Sequence, residues 1–198
     1  MTKERQQRLE SVLAKRQNGI TVILENVFDR HNVSAVMRSC DAVGIQEMYV
    51  VHTKAPRLEK WGYRSSGSAY KWLTVHQFNA LDDCLEAVRC KYDRILTTHL
   101  SADAVSLYDA DLTQKTALVF GNEHSGVSEE LIAKADGNFI IPQVGIIKSL
   151  NISVACAVSL YEAYRQKEAA GHYDSPQLNQ SERETIAKQW GIDYENSI

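Results

Sequence analysis

The feature that most constrains this chain is an alternation. Short apolar runs rich in β-branched residues recur along it, and stretches with helical periodicity fall between them. ITVILEN (20–26) reads as a buried strand. In the HNVSAVMRSCDAVG that follows, Val33, Val36, Met37 and Cys40 fall at i, i+3, i+4 and i+7. That spacing predicts a helix, with Asn32 as its N-cap and Gly44 as its stop. EMYVV (47–51), WLTVH (72–76), DRILTTH (93–99), TALVF (116–120) and NFIIP (138–142) supply further strands. NALDDCLEAVRCK (79–91), a short segment from Ser128 and a long one from about Ser149 to Ala169 supply further helices. In the long helix, Leu150, Val154, Val158 and Tyr161 are expected to make the buried stripe. Strands and helices in this order imply an α/β fold, a mostly parallel sheet with helices on both faces.

The boundaries follow from the same pattern. Residues 1–17 form a helical N-terminal extension, with Leu9, Val12 and Leu13 at helical spacing, and residues 18–170 form the main domain. Residues 171–198 begin as a linker, end in the helix-forming SERETIAKQW, and are expected to be an appendage rather than core. With 44% hydrophobic residues in 198, the chain is not a disordered one. No apolar run approaches the roughly 18 residues that a membrane span requires. The charged opening MTKERQQRLE lacks the apolar stretch of a secretory leader. The four cysteines form no CxxC pair, so reduced thiols and a cytoplasmic location are expected.

Net charge is −3, which argues against an overtly basic nucleic-acid binder, yet the charge is unevenly spread. Residues 1–71 carry 12 Lys/Arg against 7 Asp/Glu, and the remainder 10 against 18. A basic front half can present a phosphate-facing surface, although simple scatter would look the same.

The sequence lacks GxGxxG after a strand, GxxxxGK[ST], HExxH and GxSxG. The six histidines show no ligand-like pairing, so no metal site is expected, and His52, His76 and His99 are read as structural. Three polar clusters remain, each at the end of an apolar strand, where α/β folds place their sites. The first is His31-Asn32 with Arg38. Six helical residues turn through roughly 600° and rise about 9 Å, so Asn32 and Arg38 converge only if Asn32 lies outside the regular helix. A cap plus a solvated arginine is the plainer alternative; a pinned guanidinium that holds phosphate is the functional one.

The second cluster, Phe120-Gly121-Asn122-Glu123-His124-Ser125-Gly126, brackets four polar residues with glycines. Gly121 allows close backbone approach, and Glu123 is a carboxylate held near the sheet edge. The third runs from Ile140 through Pro142, Gly145 and Lys148 to Ser149-Leu150-Asn151, with Ser149 expected to cap the long helix. Its Val144, Ile146 and Ile147 are too apolar for an open loop and call for a cover: another loop, an adenine ring or a second subunit.

Together the three clusters resemble the three motifs of the TrmH branch of the SPOUT superfamily of S-adenosylmethionine-dependent RNA methyltransferases. HNVSAVMRSCDAVG is similar to motif 1, FGNEHSGVS to motif 2 and IIPQVGIIKSLNISVACAVSLYEA to motif 3, over about residues 18–168. HNVSA and LTTHLS (96–101) resemble the tRNA guanosine 2′-O-methyltransferases of that branch. The resemblance implies a trefoil-knotted α/β domain, a homodimer with sites at the subunit interface, and methyl transfer from S-adenosylmethionine to an RNA ribose 2′-hydroxyl, without metal. By motif match, Thr98, Gly121, Ile141 and Leu150 would line the adenosine pocket. Arg38 would accept the proton, with an RNA phosphate sharing the task. Asn32, Glu123, Ser149 and Asn151 would position the reactants. RNA contacts would fall to Arg5, Arg8, Lys15 and Arg16 of the first helix and to Arg57, Lys60 and Arg64 of the loop. The substrate implied is tRNA, at a D-loop guanosine. Ribosomal RNA, or a non-catalytic RNA-binding role, are the alternatives.

Overall fold

The computed structural model describes residues 1–57, 67–101 and 103–192, so Lys60 and Arg64 lie outside the described residues. Seven strands form one sheet: β1 (Ile20–Glu25), β2 (Glu47–Val51), β3 (Thr74–Phe78), β4 (Arg94–Thr98), β5 (Val105–Ser106), β6 (Thr116–Phe120) and β7 (Gly137–Ile140). Their order is β3-β2-β1-β6-β4-β7-β5, and every pairing is parallel. The helices are α1 (Lys3–Ala14), α2 (Arg30–Ala42), α3 (Leu81–Arg89), α4 (Glu129–Lys134), α5 (Ile152–Ala169) and α6 (Gln180–Trp190). The two-residue β5 has too little pattern to be read from sequence.

All six residues of β1 are buried, as a strand covered on both faces must be. Successive side chains enter opposite layers: Val22 and Leu24 join a core under α2 and α5, and Ile23 joins one under α3 and α4. Helix α5 keeps one residue of the expected stripe inward, Val158, which packs against the core. Ile152, Cys156, Ser159, Leu160 and Ala163 face inward with it, whereas Val154 and Tyr161 are 47% and 55% exposed and Leu150 is 37% exposed. The helix is apolar around much of its circumference, so periodicity alone could not choose the buried side.

The C-terminal segment is no loose appendage. Leu178, Ile186, Ala187, Trp190 and Ile192 close a third small core with Leu13 of α1. Arg16 is part of this assembly, which corrects its expected RNA-facing role. It is fully buried, with Nη2 donating to Asp41 Oδ1 at 2.6 Å, Nη1 donating to the Ile45 carbonyl at 3.0 Å, and its guanidinium over the Trp190 ring at 5.0 Å. Burial pulls its pKa down from the ordinary arginine value, and the Asp41 charge opposes that pull. Nearby, Glu47 opens β2 and accepts hydrogen bonds from Lys91 and His76. Burial pushes its carboxyl up, but the two hydrogen bonds and the Lys91 charge outweigh this and hold it at about 2.

Candidate active site

Because every strand runs the same way, the C-terminal ends of β1, β4, β6 and β7 share one edge. The loops that leave this edge carry all three polar clusters. Helix α2 begins earlier than its sequence suggests: Asp29 is the N-cap, its Oδ1 accepting from the His31 amide at 2.8 Å. Asn32 therefore lies in the first helical turn, with its carboxamide free to reach outward. Its Nδ2 donates to Glu123 Oε1 at 2.9 Å, and its Oδ1 accepts from Asn151 Nδ2 at 3.2 Å. One residue from each cluster thus joins a single chain, across sequence separations of 91 and 119.

Asn151, not Ser149, caps α5. Its Oδ1 accepts from the Ser153 amide at 2.9 Å and from Ser153 Oγ at 2.6 Å. Ser149 lies two residues earlier, exposed in the loop. Arg38 does not join the polar chain. Both it and Asn32 are inside the regular helix, so the roughly 600° turn leaves them about 120° apart around its axis. Its side chain is exposed and lies against Gly67, with Nε 3.4 Å from where a Cβ on that glycine would stand. Among the described residues it has no ion pair.

Beside the chain lies a cavity of about 600 Å³. Thr98, Gly121, Ile141 and Leu150 all line it, as do Glu123, Ser149 and Asn151; Asn32 and Arg38 do not. Thr98 spends its hydroxyl on the Val119 carbonyl at 3.0 Å, stitching β4 to β6. A Cβ on Gly121 would sit 2.2 Å from the backbone of Gly126 and Val127, so no side chain fits there. The sequence reading missed His99, Asn122 and Lys148 as lining residues. The position of His99 at the end of β4 was a usable signal, and Asn122 and Lys148 lie inside the second and third polar clusters. Among the described residues no cluster of His, Cys, Asp or Glu could hold a metal ion, and His52 and His76 bond to Gln77 and Glu47. Val144 and Ile146 stand fully exposed and Ile147 is 71% exposed, so none of the described residues covers the apolar loop. Arg5, Arg8, Lys15 and Arg57 are exposed at the surface.

The chain belongs to the SpoU rRNA Methylase family, whose sequence profile matches residues 19–161. It is 39% identical over 191 residues to the tRNA (guanosine(18)-2′-O)-methyltransferase of Thermus thermophilus, covering 96% of each protein. The crystal structure of the A. aeolicus TrmH/SpoU tRNA modifying enzyme is similar across 98% of both chains, with a TM-score of 0.88 and 37% identity. The SpoU methyltransferase AviRb of Streptomyces viridochromogenes, in complex with the cofactor AdoMet, matches 79% of this chain and 61% of its own, with a TM-score of 0.70 and 25% identity.

Proposed function

We propose that the protein transfers a methyl group from S-adenosylmethionine to the ribose 2′-hydroxyl of a guanosine in the D-loop of tRNA. The observation that carries this reading is the Glu123–Asn32–Asn151 chain beside the cavity, in a fold shared with tRNA-modifying relatives over nearly its whole length. The cavity has the size of a small-molecule site, and the bare Gly121 together with apolar Phe120, Ile141 and Leu150 suits a nucleoside. When bound, S-adenosylmethionine supplies a methyl group activated by the positive sulfonium.

What the protein adds is alignment and removal of one proton. Asn32, Glu123, Ser149 and Asn151 orient the ribose hydroxyl towards the cavity. Its oxygen takes the methyl as the sulfur–carbon bond breaks, and the bonding pair stays on sulfur. A guanidinium is a poor base, because it stays protonated in proteins. We assign Arg38 to hold an RNA phosphate, whose oxygen shares the departing proton. Its exposure on α2 leaves it open to such a ligand. Arg5, Arg8, Lys15 and Arg57 add sequence-independent phosphate contacts.

Three further features belong to the same reading. A second copy covers Val144, Ile146, Ile147 and the outward face of α5, giving a homodimer with the sites at its interface. The chain is trefoil-knotted; the support is the strand order, in which β6 and β7 enter on either side of the earlier β4. The protein works in the cytoplasm, in keeping with its four free cysteines. Incubation with labelled S-adenosylmethionine and, separately, unmodified tRNA transcripts or ribosomal RNA tests the whole, with label mapped by nuclease digestion. Label on a D-loop guanosine ribose is the expected result. Label confined to ribosomal RNA overturns the substrate, and no label in any RNA overturns the enzymatic role.

A further inference from the structure

Glu123 is exposed on a turn, yet it must sit at a fixed height to bond Asn32, and the structure shows what holds that turn. Residues 121–126 close on themselves: the Asn122 amide donates to the Gly126 carbonyl at 3.0 Å, and the Gly126 amide donates back at 2.9 Å. Within the loop, Asn122 Oδ1 accepts from the amides of His124 and Ser125 at 2.8 and 3.1 Å. The same side chain reaches out of the loop, where Nδ2 donates to the Asn26 carbonyl at 2.9 Å. All three hydrogen bonds of this carboxamide are thus to backbone, and the residue is 8% exposed.

The attachment point is itself fixed. Asn26 follows β1 directly and holds a left-handed φ of 52°. Its Oδ1 accepts from the amides of Lys54 and Ala55 at 2.7 and 3.1 Å, and its Nδ2 donates to Thr53 Oγ1 at 2.8 Å. These bonds hold a non-glycine residue in a conformation that costs energy. The far end of the turn is tied to the same strand, because Glu25 accepts from the Ser128 amide at 2.7 Å and from Ser128 Oγ at 2.5 Å. The turn therefore hangs from the end of β1 at two points.

We propose that Asn122 is a positioning residue for the methyl-transfer reaction, setting the place of Glu123 relative to Asn32 by suspending the 121–126 turn from the Asn26 carbonyl. This rests on the reading of the site given above. Geometry of this kind matters to rate, since an error of about 1 Å in a reacting group can cost about a hundredfold.

The test uses Asn122→Asp and Asn122→Ser in the full-length protein, with Glu123→Ala as reference, which removes the acceptor for Asn32. Asn122→Asp keeps the acceptor for His124 and Ser125 but turns an oxygen towards the Asn26 carbonyl. Asn122→Ser keeps a turn acceptor and is too short to reach Asn26. Both are expected to lower kcat by roughly tenfold or more while KM for RNA stays within about twofold. Combined with Glu123→Ala, either should add little further loss, because both changes act through one group. The ratio of Asn122→Asp to native activity should rise as pH falls, since a protonated carboxyl regains the donor. Native kcat in both variants, or losses that multiply fully with Glu123→Ala, would overturn the proposal. An unaffected Glu123→Ala enzyme would instead overturn the parent reading of the site.

Discussion

The two edges of the sheet are built on different principles, and one helix joins them. At the C-terminal edge, the first turn of α2 offers Asn32 to a chain of partly exposed side chains tied by single hydrogen bonds. At the opposite edge, the last turn of the same helix offers Asp41 to the buried Arg16, beside the ion-paired Glu47. Charges at that edge are paired around a fully buried Arg16; the polar groups at the site edge stay partly exposed and open to a ligand. The comparison teaches that residue type says little about role. Arg16 and Arg38 look alike in sequence, but one fastens three segments together and the other faces water.

Substitutions at the two arginines should separate the edges, and Arg38→Ala should give the largest effect. Loss of turnover by about 10²–10⁴-fold is expected, with the melting temperature unchanged, because the side chain has no ion pair to lose among the described residues. A variant with near-native turnover would show that the phosphate-holding role lies elsewhere. Arg16→Ala should do the reverse. Removing one partner of a buried pair costs about 3–5 kcal/mol; the lower end applies here because the Asp41 side chain is 35% exposed. Denaturant unfolding would register this, while the salt dependence of RNA binding by the folded variant stays native. A shallower salt slope would return Arg16 to the RNA surface.

The smallest effect concerns Glu47 and the pH scale. Its carboxyl is held at about 2 in the folded protein against an ordinary value of 4.5. The stabilisation is therefore fully present above about pH 4.5 and is lost as pH falls towards 2. Glu47→Gln should flatten that acid limb without altering methyl transfer at neutral pH. A pH–stability profile that superimposes on the native one below pH 4.5 would contradict the assignment. The half-exposed Lys91 keeps the expected difference modest.

Much of this could be read from the residues. Strand positions in TALVF and EMYVV match β6 and β2 to the residue, because both are short, apolar and sharply bounded. Ser128 caps α4 as its position suggests, with Oγ accepting from the Leu131 amide at 3.2 Å. Helix starts at the site were less legible. Asn32 and Ser149 are good capping residues by type, but Asp29 and Asn151 hold those places. Capping propensity is local, whereas Asn32 is held by Glu123 from 91 residues away. The packing of the tail is illegible for a similar reason, since α6 gains its contacts from Leu13 and Arg16 near the other end of the chain.

By itself, then, the sequence determined the succession of elements, the parallel layered architecture and the three clusters that face one edge. Those follow from periodicity, β-branching and glycine placement, all short-range properties. Tertiary structure alone decided which side of α5 is buried, which arginine meets solvent and how Asn122 holds the turn that carries Glu123. The physical reason is the same in each case: burial and hydrogen bonding depend on which distant segment arrives, and no local pattern encodes that.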